Sequence, residues 1–459
     1  MQGIVSCIKE STPTYYLVGS DGHAFFSGEY RGLQIKLNLG ELVDVEEGKV
    51  MPLDGDTESV KGSIEKDIAG AIKNRTERQV YLTGIEEVDK ATERMWKKLG
   101  SAAGLLLRKL YLCQPIIVRF HNDADGSSGA TGLYRGISEA AGSGGARPNT
   151  IWIMHKGVSY SSMDAESDIL LARNYSAVEK PLLVIVDFGT SKDSNEGIKI
   201  AEKNFEIIWL DHHPIEEGFE GTRLDTYINP WMFGADSAYT AGMLACIFAR
   251  SFSDVDTGEL EIGSMVGDYS RFAPKDNDEV AMILDLVTSE PRLISRSESG
   301  LTPAEIDSAL NDNAKRKELY NYAKMRLDEA IALAMESTKR YSLAKGDIYV
   351  LDYEETRSPD SKYPLPGRFA SKFLVKVEGA GKPCVVVVHF GMFVSMRVSA
   401  ELGDGVDVPG IIAGMKTMYP GLIEAGGGHR NAASLKLVAK ENKKEVLTPL
   451  LEQLRSRLE

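Results

Sequence analysis

The sequence contains no apolar run of the length needed to cross a membrane. None of its 459 residues lies in a stretch of ~18 consecutive apolar side chains, which argues against a transmembrane helix. Residues Met1–Cys7 have neither the basic start nor the apolar core of a signal peptide. Repeats and low-complexity tracts are also missing, which argues against solenoids and disordered tails. We therefore expect a globular, cytoplasmic protein.

Cysteine is scarce and widely spaced. The four cysteines form no C-x-x-C pair: they are Cys7, Cys113, Cys246 and Cys384. Zinc ribbons and small disulfide-stapled folds need closely spaced cysteines, so both classes are disfavoured. The pattern predicts buried thiols in a reducing compartment.

Positive charge is in short supply over most of the chain. The formal net charge is −14, which argues against a broad polyanion-binding surface. Residues 347–459 carry 15 Lys and Arg against 14 Asp and Glu, so the deficit lies in the first 346 residues. A polyanionic ligand should therefore rely on the C-terminal segment or on bound metal.

The pattern of apolar segments and turns predicts four regions. Residues 1–75 look β-rich, with a hairpin turn at Ser20–Gly22 and a second turn at Glu46–Gly48. This N-terminal region could be an OB-like barrel or a structural extension. Residues 76–300 alternate strands with helices, residues 301–345 form a helical connector, and residues 346–459 form a smaller α/β domain. The alternation predicts an α/β fold with a doubly wound, mainly parallel sheet.

Short apolar runs and amphipathic stretches locate the elements. The predicted strands of the central region are 115–120, 151–154, 182–186 and 205–210, and its predicted helices include 86–110, 129–141 and 238–252. Thr302, Pro303 and Glu305 form a strong helix start, with a break expected near residues 311–313. The C-terminal region should contain strands 348–351, 384–388 and 393–398, a helix from Gly367, a glycine turn at 426–428 and a final helix after Lys440.

Acidic and imidazole side chains follow the predicted strands. His121, Asp123 and Asp125 come at the end of the first strand of the α/β region. A calcium EF-hand needs an acid at position 1 and Glu at position 12 of its loop, where this chain has His121 and Gly132. A haloacid-dehalogenase phosphatase also has Asp-x-Asp-Gly after a strand, with Asp123 as the covalent nucleophile. That phosphatase remains the alternative enzyme.

The remaining groups of this kind are Asp187, Asp211-His212-His213 and Asp268. Ligands of open α/β sheets bind beyond the carboxyl ends of the strands, where most of these side chains fall. Mixed imidazole and carboxylate ligands suit Mn²⁺ better than Ca²⁺ or structural zinc, with Mg²⁺ as another possibility. Six or seven ligands are about right for two ions ~3.5–4 Å apart, which can activate water and stabilise the leaving oxygen of a phosphodiester.

Five motifs in this order resemble the DHH phosphoesterase family, across residues 115–437. They are His121–Gly126, Val186–Asp187, Asp211–His213, Gly267–Asp268 and Glu424–His429. The likeness is strongest to RecJ-like single-strand exonucleases, especially the archaeal group that includes the GINS-associated nuclease. The resemblance implies a DHH catalytic domain and metal ligands at His121, Asp123, Asp125, Asp187, His212 and Asp268. It implies catalytic roles for Asp187, Asp211, His212 and His213, with His213 contacting the scissile phosphate or assisting proton transfer.

The resemblance also implies a substrate-binding DHH-associated domain. Its residues would be Ser395, Arg397, Gly426, Gly427, Gly428 and His429. Three glycines allow positive φ and an anion-binding nest of N–H groups, while Ser395 and Arg397 share a face of one strand. The family usually closes this motif with Ala-Ala-Gly, whereas Ser434 follows Ala433 here.

These features predict a Mn²⁺-dependent exonuclease acting on single-stranded DNA or RNA in DNA replication or repair. A replisome scaffold, with GINS as a partner, is a second hypothesis, although the ligand set is complete. The third keeps the chemistry and changes the substrate to an oligoribonucleotide or a cyclic dinucleotide.

Overall fold

A computed structural model describes residues 2–20, 24–46, 49–142, 149–157, 159–296, 301–357, 360–379, 381–429 and 431–459, without the side chains of residues 403, 404 and 429. The chain divides into two compact units, Met1–Arg316 and Lys317–Glu459. The four regions expected from the sequence remain a proposal for its domains.

An antiparallel sheet forms the N-terminal part of the first unit. Its strands are β1 (Gln2–Lys9), β2 (Thr14–Ser20), β3 (Phe25–Arg31), β4 (Leu42–Glu46) and β5 (Lys49–Pro52). The order is β3-β2-β1-β4-β5, and β1 also pairs with a short strand at Tyr175–Ala177. Both faces are apolar and buried, one packing on the main core and the other on a small core of its own. The two outermost strands, β3 and β5, do not pair within the described residues, so an OB-like barrel stays a prediction; both predicted turns include residues outside them.

Two long helices follow, α1 (Thr57–Thr76) and α2 (Glu86–Tyr111). Helix α2 confirms the predicted helix at 86–110. The region expected to be β-rich extended to residue 75. Its sheet ends at Pro52, and helix α1 occupies most of the remainder. The carboxylate of Asp56 caps α1 by accepting from two backbone N–H groups, and Ile64 and Ile68, one turn apart, are buried beneath it.

The central sheet is parallel, as the sequence predicts. Its elements in chain order are β6 (Ile116–His121), α3 (Ala124–Ala141), β7 (Thr150–His155), α4 (Ser162–Ala172), β8 (Tyr175–Ala177), β9 (Leu182–Val186), α5 (Asn195–Ala201), β10 (Glu206–Leu210) and β11 (Tyr227–Ile228). The strand order is β7-β6-β9-β10-β11, with every pair parallel, while β8 joins the N-terminal sheet. This order reverses direction between β6 and β9, and such a switch point is where doubly wound sheets bind ligands.

Five helices complete the first unit and lead into the second. They are α6 (Ala241–Arg250), α7 (Gly258–Gly267), α8 (Glu279–Ser289), α9 (Pro303–Asn311) and α10 (Asn313–Ser337). The predicted capping box at Thr302 and Glu305 is confirmed, as is the break, which falls at Asp312. The expected start of the sixth helix at residue 238 is wrong, because α6 begins at Ala241.

The second unit is a six-stranded sheet between helices. It contains β12 (Lys339–Ser342), β13 (Asp347–Asp352), α11 (Pro366–Glu378), β14 (Cys384–Phe390), β15 (Phe393–Val398), α12 (Gly403–Val406), α13 (Val408–Met418), β16 (Ile423–His429), β17 (Ala432–Leu437) and α14 (Lys443–Leu458). The order is β12-β13-β14-β15-β17-β16. Helix α11 packs on one face of the sheet, and α13 and α14 pack on the other.

The predicted glycine turn is instead part of a strand. Gly426, Gly427 and Gly428 lie within β16 and pair in register with Leu435, Ser434 and Ala433. In a strand, successive N–H groups point to opposite sides, so the three glycines do not form the concave nest expected from the sequence. Close pairing with β17 explains why residue 428 is glycine, since a Cβ there would clash with the carbonyl oxygen of Ala432.

Among the described helices, none is both long and apolar enough to cross a membrane. The four cysteines are buried and free of disulfides, as predicted. Burial raises the pKa of the Cys7 and Cys113 thiols to about 12, so both are un-ionised at neutral pH.

Candidate metal centre

The centre lies at the carboxyl ends of β6, β9 and β10. Their last paired residues, Phe120, Val186 and Leu210, stand side by side in register. The residue that follows each of them is therefore at the same edge of the sheet: His121, Asp187 and Asp211. The sequence predicted this convergence from strand ends alone, and the sheet order places it at the switch point.

Asp187 has an unusual backbone conformation. Its φ is +64°, a left-handed value that costs a non-glycine residue about 1–3 kcal/mol. The strand pairing holds it there, because its N–H donates to the carbonyl of Leu210 at 3.0 Å. The following N–H, of Phe188, donates to the Asp211 carboxylate at 2.9 Å. The sharp bend directs a 5%-exposed carboxylate toward the other acidic groups.

Helix α3 begins inside the first motif, five residues before the predicted start at residue 129. Asp123 is its N-cap and accepts from the N–H of Gly126 at 3.0 Å. The other oxygen of Asp123 lies 2.7 Å from Nδ1 of His121. Gly126 is required by a close approach, since a Cβ there would lie 2.5 Å from the carbonyl oxygen of His121. Asp125 is therefore in the first turn of a helix rather than in the expected loop.

Asp125 serves at the same time as the cap of α6. Its carboxylate accepts from the N–H groups of Ala241 at 3.1 Å and Gly242 at 2.8 Å, and from the hydroxyl of Ser264. This explains why α6 starts at Ala241 and not at residue 238: the orphan N–H groups of its first turn are satisfied from α3. The carboxylate is 1% exposed and fixed from three sides.

His212 is oriented by a backbone carbonyl. Its Nδ1 lies 2.9 Å from the carbonyl oxygen of Ser237, so Nδ1 carries the proton and Nε2 is the nitrogen that could ligate a metal ion. Nε2 lies 3.8 Å from Asp125, 3.6 Å from Asp187 and 3.5 Å from Asp268, measured to carboxylate oxygens. These distances are too long for good hydrogen bonds and suit atoms that share a cation between them.

Asp211 has a different role from the other carboxylates. It is 0% exposed, and one oxygen accepts from the backbone N–H of His212 at 2.8 Å and of His213 at 2.9 Å. The same oxygen lies 2.9 Å from Nδ1 of His213. The other oxygen accepts from Phe188 and, at 3.3 Å, from Nε1 of Trp209. With its lone pairs used in this way, Asp211 positions the Asp-His-His segment rather than ligating.

The ligand atoms fall into three overlapping groups. Within each group the atoms lie no more than 4.8 Å apart, and the groups are Asp187, His212 and His213; His121, Asp123 and Asp187; and Asp125, His212 and Asp268. Asp187 and His212 each belong to two groups, which is the arrangement expected of ligands near two neighbouring ions. The set of imidazoles and carboxylates fits divalent cations such as Mn²⁺ and Mg²⁺.

The pKa shifts of the carboxyl groups also favour a cation-binding site. Burial, reinforced by Asp268 and Asp123, raises the pKa of Asp125 well above its usual range. Burial, with Asp125 and Asp123 close by, does the same to the pKa of Asp187. Burial also opposes ionisation of Asp123, but His121 outweighs it and the pKa of Asp123 falls to about 2. Several carboxylates are thus crowded in a buried place, where a cation would relieve their repulsion.

A family comparison matches this part of the chain. Residues 115–262 match the model of the DHH family, N-terminal domain. That range contains every motif of the centre except the one at Asp268. Residues 115–262 therefore form a DHH-family domain. A domain of this family is what the resemblance of the sequence motifs implied.

One curated relative and one solved structure match most of this chain. The uncharacterised protein MJ1198 of Methanocaldococcus jannaschii is 23% identical, aligned over 95% of this chain and 66% of its own length. A solved structure described as a member of the s1p family of ribosomal proteins, PF0399 DHH domain, has a TM-score of 0.69 at 20% identity and covers 86% of this chain and 98% of that one.

A RecJ structure shares the fold as well. The RecJ of Thermus thermophilus in complex with Mn²⁺ has a TM-score of 0.50 at 14% identity and covers 84% of this chain and 60% of that one. At these identities the structural likenesses establish the fold. This chain spans 66% of the length of MJ1198 and 60% of that RecJ chain.

Sequence reasoning missed three residues that hold the DHH centre in place. Ser264 donates to Asp125, Ser237 orients His212, and the Asp285 carboxylate accepts from the N–H of Ala124 at 2.9 Å. Ser264 and Asp285 lie on α7 and α8, which the sequence analysis did not identify. A buried acid in an apolar helix, as at Asp285, is the one signal that could have drawn attention to it.

The residues predicted to bind substrate lie in the second unit. Ser395 of β15 pairs with Ser434, which pairs with Gly427 of β16, and Arg397 pairs with Ala432. Arg397 donates from Nε to the Ser371 hydroxyl at 2.9 Å and from an Nη to that of Ser395 at 3.0 Å. Gly427, Ser395 and Arg397 therefore share one face of the sheet, whereas Gly426 and Gly428 alternate with Gly427. His429 ends β16, and its side chain lies outside the described part of the structure.

Proposed function

We propose that this DHH protein is a Mn²⁺-dependent exonuclease that hydrolyses phosphodiester bonds of single-stranded DNA or RNA. The observation that carries the proposal is the overlap of the three ligand groups at Asp187 and His212. A single cation would not use a set of this size, whereas hydrolysis at a phosphodiester commonly uses two ions.

The groups indicate which residues would hold each ion. His121, Asp123 and Asp187 would hold one, and Asp125, His212 and Asp268 the other. Asp187 also lies close to the second set, because its carboxylate is 3.6 Å from Nε2 of His212. Bound Mn²⁺ would supply Lewis acidity toward a phosphate and lower the pKa of a nearby water. The chain contributes fixed geometry: Asp125 is clamped by α6, and His212 by the Ser237 carbonyl. Such preorganisation avoids reorganising ligands during the reaction.

His213 is the residue suited to act on the substrate. Its side chain is 39% exposed, and its Nδ1 lies 2.9 Å from Asp211 and 3.7 Å from Asp187. Because Asp211 fixes the Nδ1 proton, Nε2 is the nitrogen that would hydrogen-bond a phosphate oxygen or move a proton. Asp211 would orient this imidazole, in the manner of the acid in a catalytic triad.

In the second unit, Arg397, Ser395 and Ser434 would bind a terminal phosphate of the strand. The guanidinium of Arg397 is held by Ser371 and Ser395, so less side-chain entropy is lost on binding. Ser434, where the family usually has glycine, adds a hydroxyl 3.1 Å from that of Ser395. This near-neutral region is also where a polyanion meets the least repulsion.

We further propose that the protein works in the cytoplasm, in DNA replication or repair. Four buried, unpaired thiols support a reducing compartment. The scaffold role beside GINS and the small-nucleotide substrates are competing proposals. A complete and clamped ligand set favours catalysis over a purely structural role, and the assay below separates the substrates.

The test uses DNA and RNA oligomers labelled at the 5′ or the 3′ end, with Mn²⁺, beside a dinucleotide and a cyclic dinucleotide. We expect the wild type to shorten single strands from one end and Asp187→Ala to lose this activity. Asp193→Ala, which removes an exposed aspartate six residues further on, is the matched control and should be fully active.

Activity of Asp187→Ala above a tenth of the wild type at saturating Mn²⁺ would contradict the two-ion assignment. Cleavage of the small substrates alone would replace the exonuclease by the small-nucleotide enzyme. The dehalogenase-type alternative needs Asp123 as nucleophile and would leave His212 and His213 dispensable.

A further inference from the structure

The turn joining β14 and β15 brings two aromatic rings together. Phe390 and Phe393 pair directly across the hairpin, with Gly391 and Met392 between them. Their ring centroids are 5.3 Å apart and the rings are nearly parallel, at 17°. Offset parallel packing of this kind makes one continuous aromatic surface.

The two rings differ in their surroundings. Phe390 is half-buried, packs against the core of the second unit and meets Tyr353 edge-on at 5.8 Å. Phe393 is 36% exposed and belongs to no apolar cluster among the described residues. The first ring is therefore an anchor that holds the second in place while leaving it accessible to solvent.

Phe393 lies on the same face as the phosphate-binding residues proposed above. Side chains alternate along a strand, so Phe393, Ser395 and Arg397 of β15 point to one side. At ~3.3 Å per residue, Phe393 lies about 7 Å from Ser395 and about 13 Å from Arg397 along the strand. Lys436 of β17 is opposite Phe393 in register, and its ammonium is 2.7 Å from the Glu424 carboxylate.

We propose that Phe393, backed by Phe390, is a stacking platform for one nucleobase of a single strand whose phosphate is held at Ser395 and Arg397. This inference rests on the proposed function and adds a base subsite to it. An exposed aromatic ring with a fixed orientation, next to cationic and hydroxyl donors, is the combination that binds single-stranded nucleic acid. The ring offers no hydrogen-bonding group, so we expect any base to be accepted.

A protein partner is the competing occupant of an exposed aromatic ring. The neighbours of Phe393 on this face argue for the nucleotide, because Ser395, Arg397 and Lys436 are polar or cationic rather than apolar. Docking onto another protein would be favoured by a wider apolar surround. The experiment below decides between the two occupants, since only a stacked nucleobase makes the effect of Phe393 depend on whether a base is present at one position of the strand.

The experiment measures binding of single-stranded oligomers to the full-length protein in EDTA, so that no turnover occurs. The variants are Phe393→Ala, Phe393→Leu and Phe393→Tyr. Met392→Ala is the matched control, because Met392 belongs to the same turn and is also 36% exposed. A series of oligomers carries one abasic site, or one 2-aminopurine, at successive positions from each end.

We expect Phe393→Ala to weaken binding about 5- to 150-fold, the range for loss of one stacked base. Phe393→Leu should weaken it nearly as much, while Phe393→Tyr and Met392→Ala should bind like the wild type. One abasic position should weaken wild-type binding by the same factor and leave Phe393→Ala unaffected. At that position 2-aminopurine should be quenched by the wild type and not by Phe393→Ala.

The outcomes separate this inference from the proposed function. Equal binding by wild type and Phe393→Ala, with hydrolysis of single strands intact, would overturn the stacking subsite alone. A Phe393-dependent loss that is the same at every abasic position would also overturn it and indicate a general apolar contact. Base-dependent binding without hydrolysis would support the subsite and refute the exonuclease. Absence of both base-dependent binding and hydrolysis would refute the stacking subsite and the exonuclease together.

Discussion

Replacing Asp211 by asparagine separates a positioning residue from a metal ligand. The amide has the shape of the carboxylate but only one oxygen, and its nitrogen cannot accept a hydrogen bond. Asp211 accepts from five N–H groups: one oxygen serves the His212 and His213 backbones and Nδ1 of His213, and the other serves Phe188 and Trp209. Of the two orientations of the amide, the less costly one places its nitrogen toward the N–H groups of Phe188 and Trp209. Only these two donors then lose their acceptor, whereas the other orientation would deprive three.

The magnitude follows from those two bonds. A hydrogen bond to a charged group is worth about 1.5–3 kcal/mol, and the bond from Trp209, at 3.3 Å, belongs at the low end. We therefore expect Asp211→Asn to lower the free energy of unfolding by about 3–5 kcal/mol. Activity should fall about 10- to 100-fold, as is usual when a group behind the ligands is changed, because both His213 and the bend at Asp187 lose support.

The assay compares Asp211→Asn with Asp187→Asn and with the exposed control Asp193→Asn. Thermal unfolding gives stability, bound manganese after dialysis gives stoichiometry, and labelled single strands give kcat. Asp211→Asn should melt earlier and turn over slowly while keeping the wild-type number of ions, whereas Asp187→Asn should lose metal. A lost ion in Asp211→Asn with unchanged melting would show that Asp211 is a ligand and refute the reasoning.

Two further predictions concern other parts of the chain. Gly428→Ala should lower the free energy of unfolding by about 1–3 kcal/mol, because φ is +146° and the new Cβ would meet Ala432 and Ala433. In the control Gly427→Ala the new Cβ has no atom within 4 Å, so this variant should melt like the wild type. Equal melting of the two variants would contradict this account of the strand. The native protein should react slowly with a thiol reagent at neutral pH, because its four cysteines are buried and burial raises the pKa of each: Cys7, Cys113, Cys246 and Cys384. In denaturant all four thiols should react. Rapid labelling before unfolding would show that a cysteine is accessible.

Strand ends were the most predictable part of this fold. Apolar runs placed Leu182–Val186 and Phe393–Val398 at their observed bounds. The first of these strands is buried on both faces, which leaves it few alternatives. The centre was predictable for the same reason, since its groups follow these strands directly.

Errors arose where distant residues determine local structure. The start of α6 depends on Asp125, more than a hundred residues earlier, whose carboxylate accepts from the N–H groups of Ala241 and Gly242. Gly426–Gly428 looked like a turn because glycine permits one, yet pairing with β17 draws the segment into a strand. Local propensity carries no information on either partner.

The pairing of β1 with β8 has a consequence for how the protein is made. Cys7 stands opposite Ala177, a separation of 170 residues in the chain, so part of one edge of β1 stays unpaired until β6 and β7 of the parallel sheet have been synthesised. At ~5–20 residues per second the wait is on the order of ten seconds or longer. During that time the nascent strand offers an unpaired edge to other chains. Early chaperone contact should therefore raise the yield of correctly folded protein more for this chain than for a protein in which such strands pair only locally.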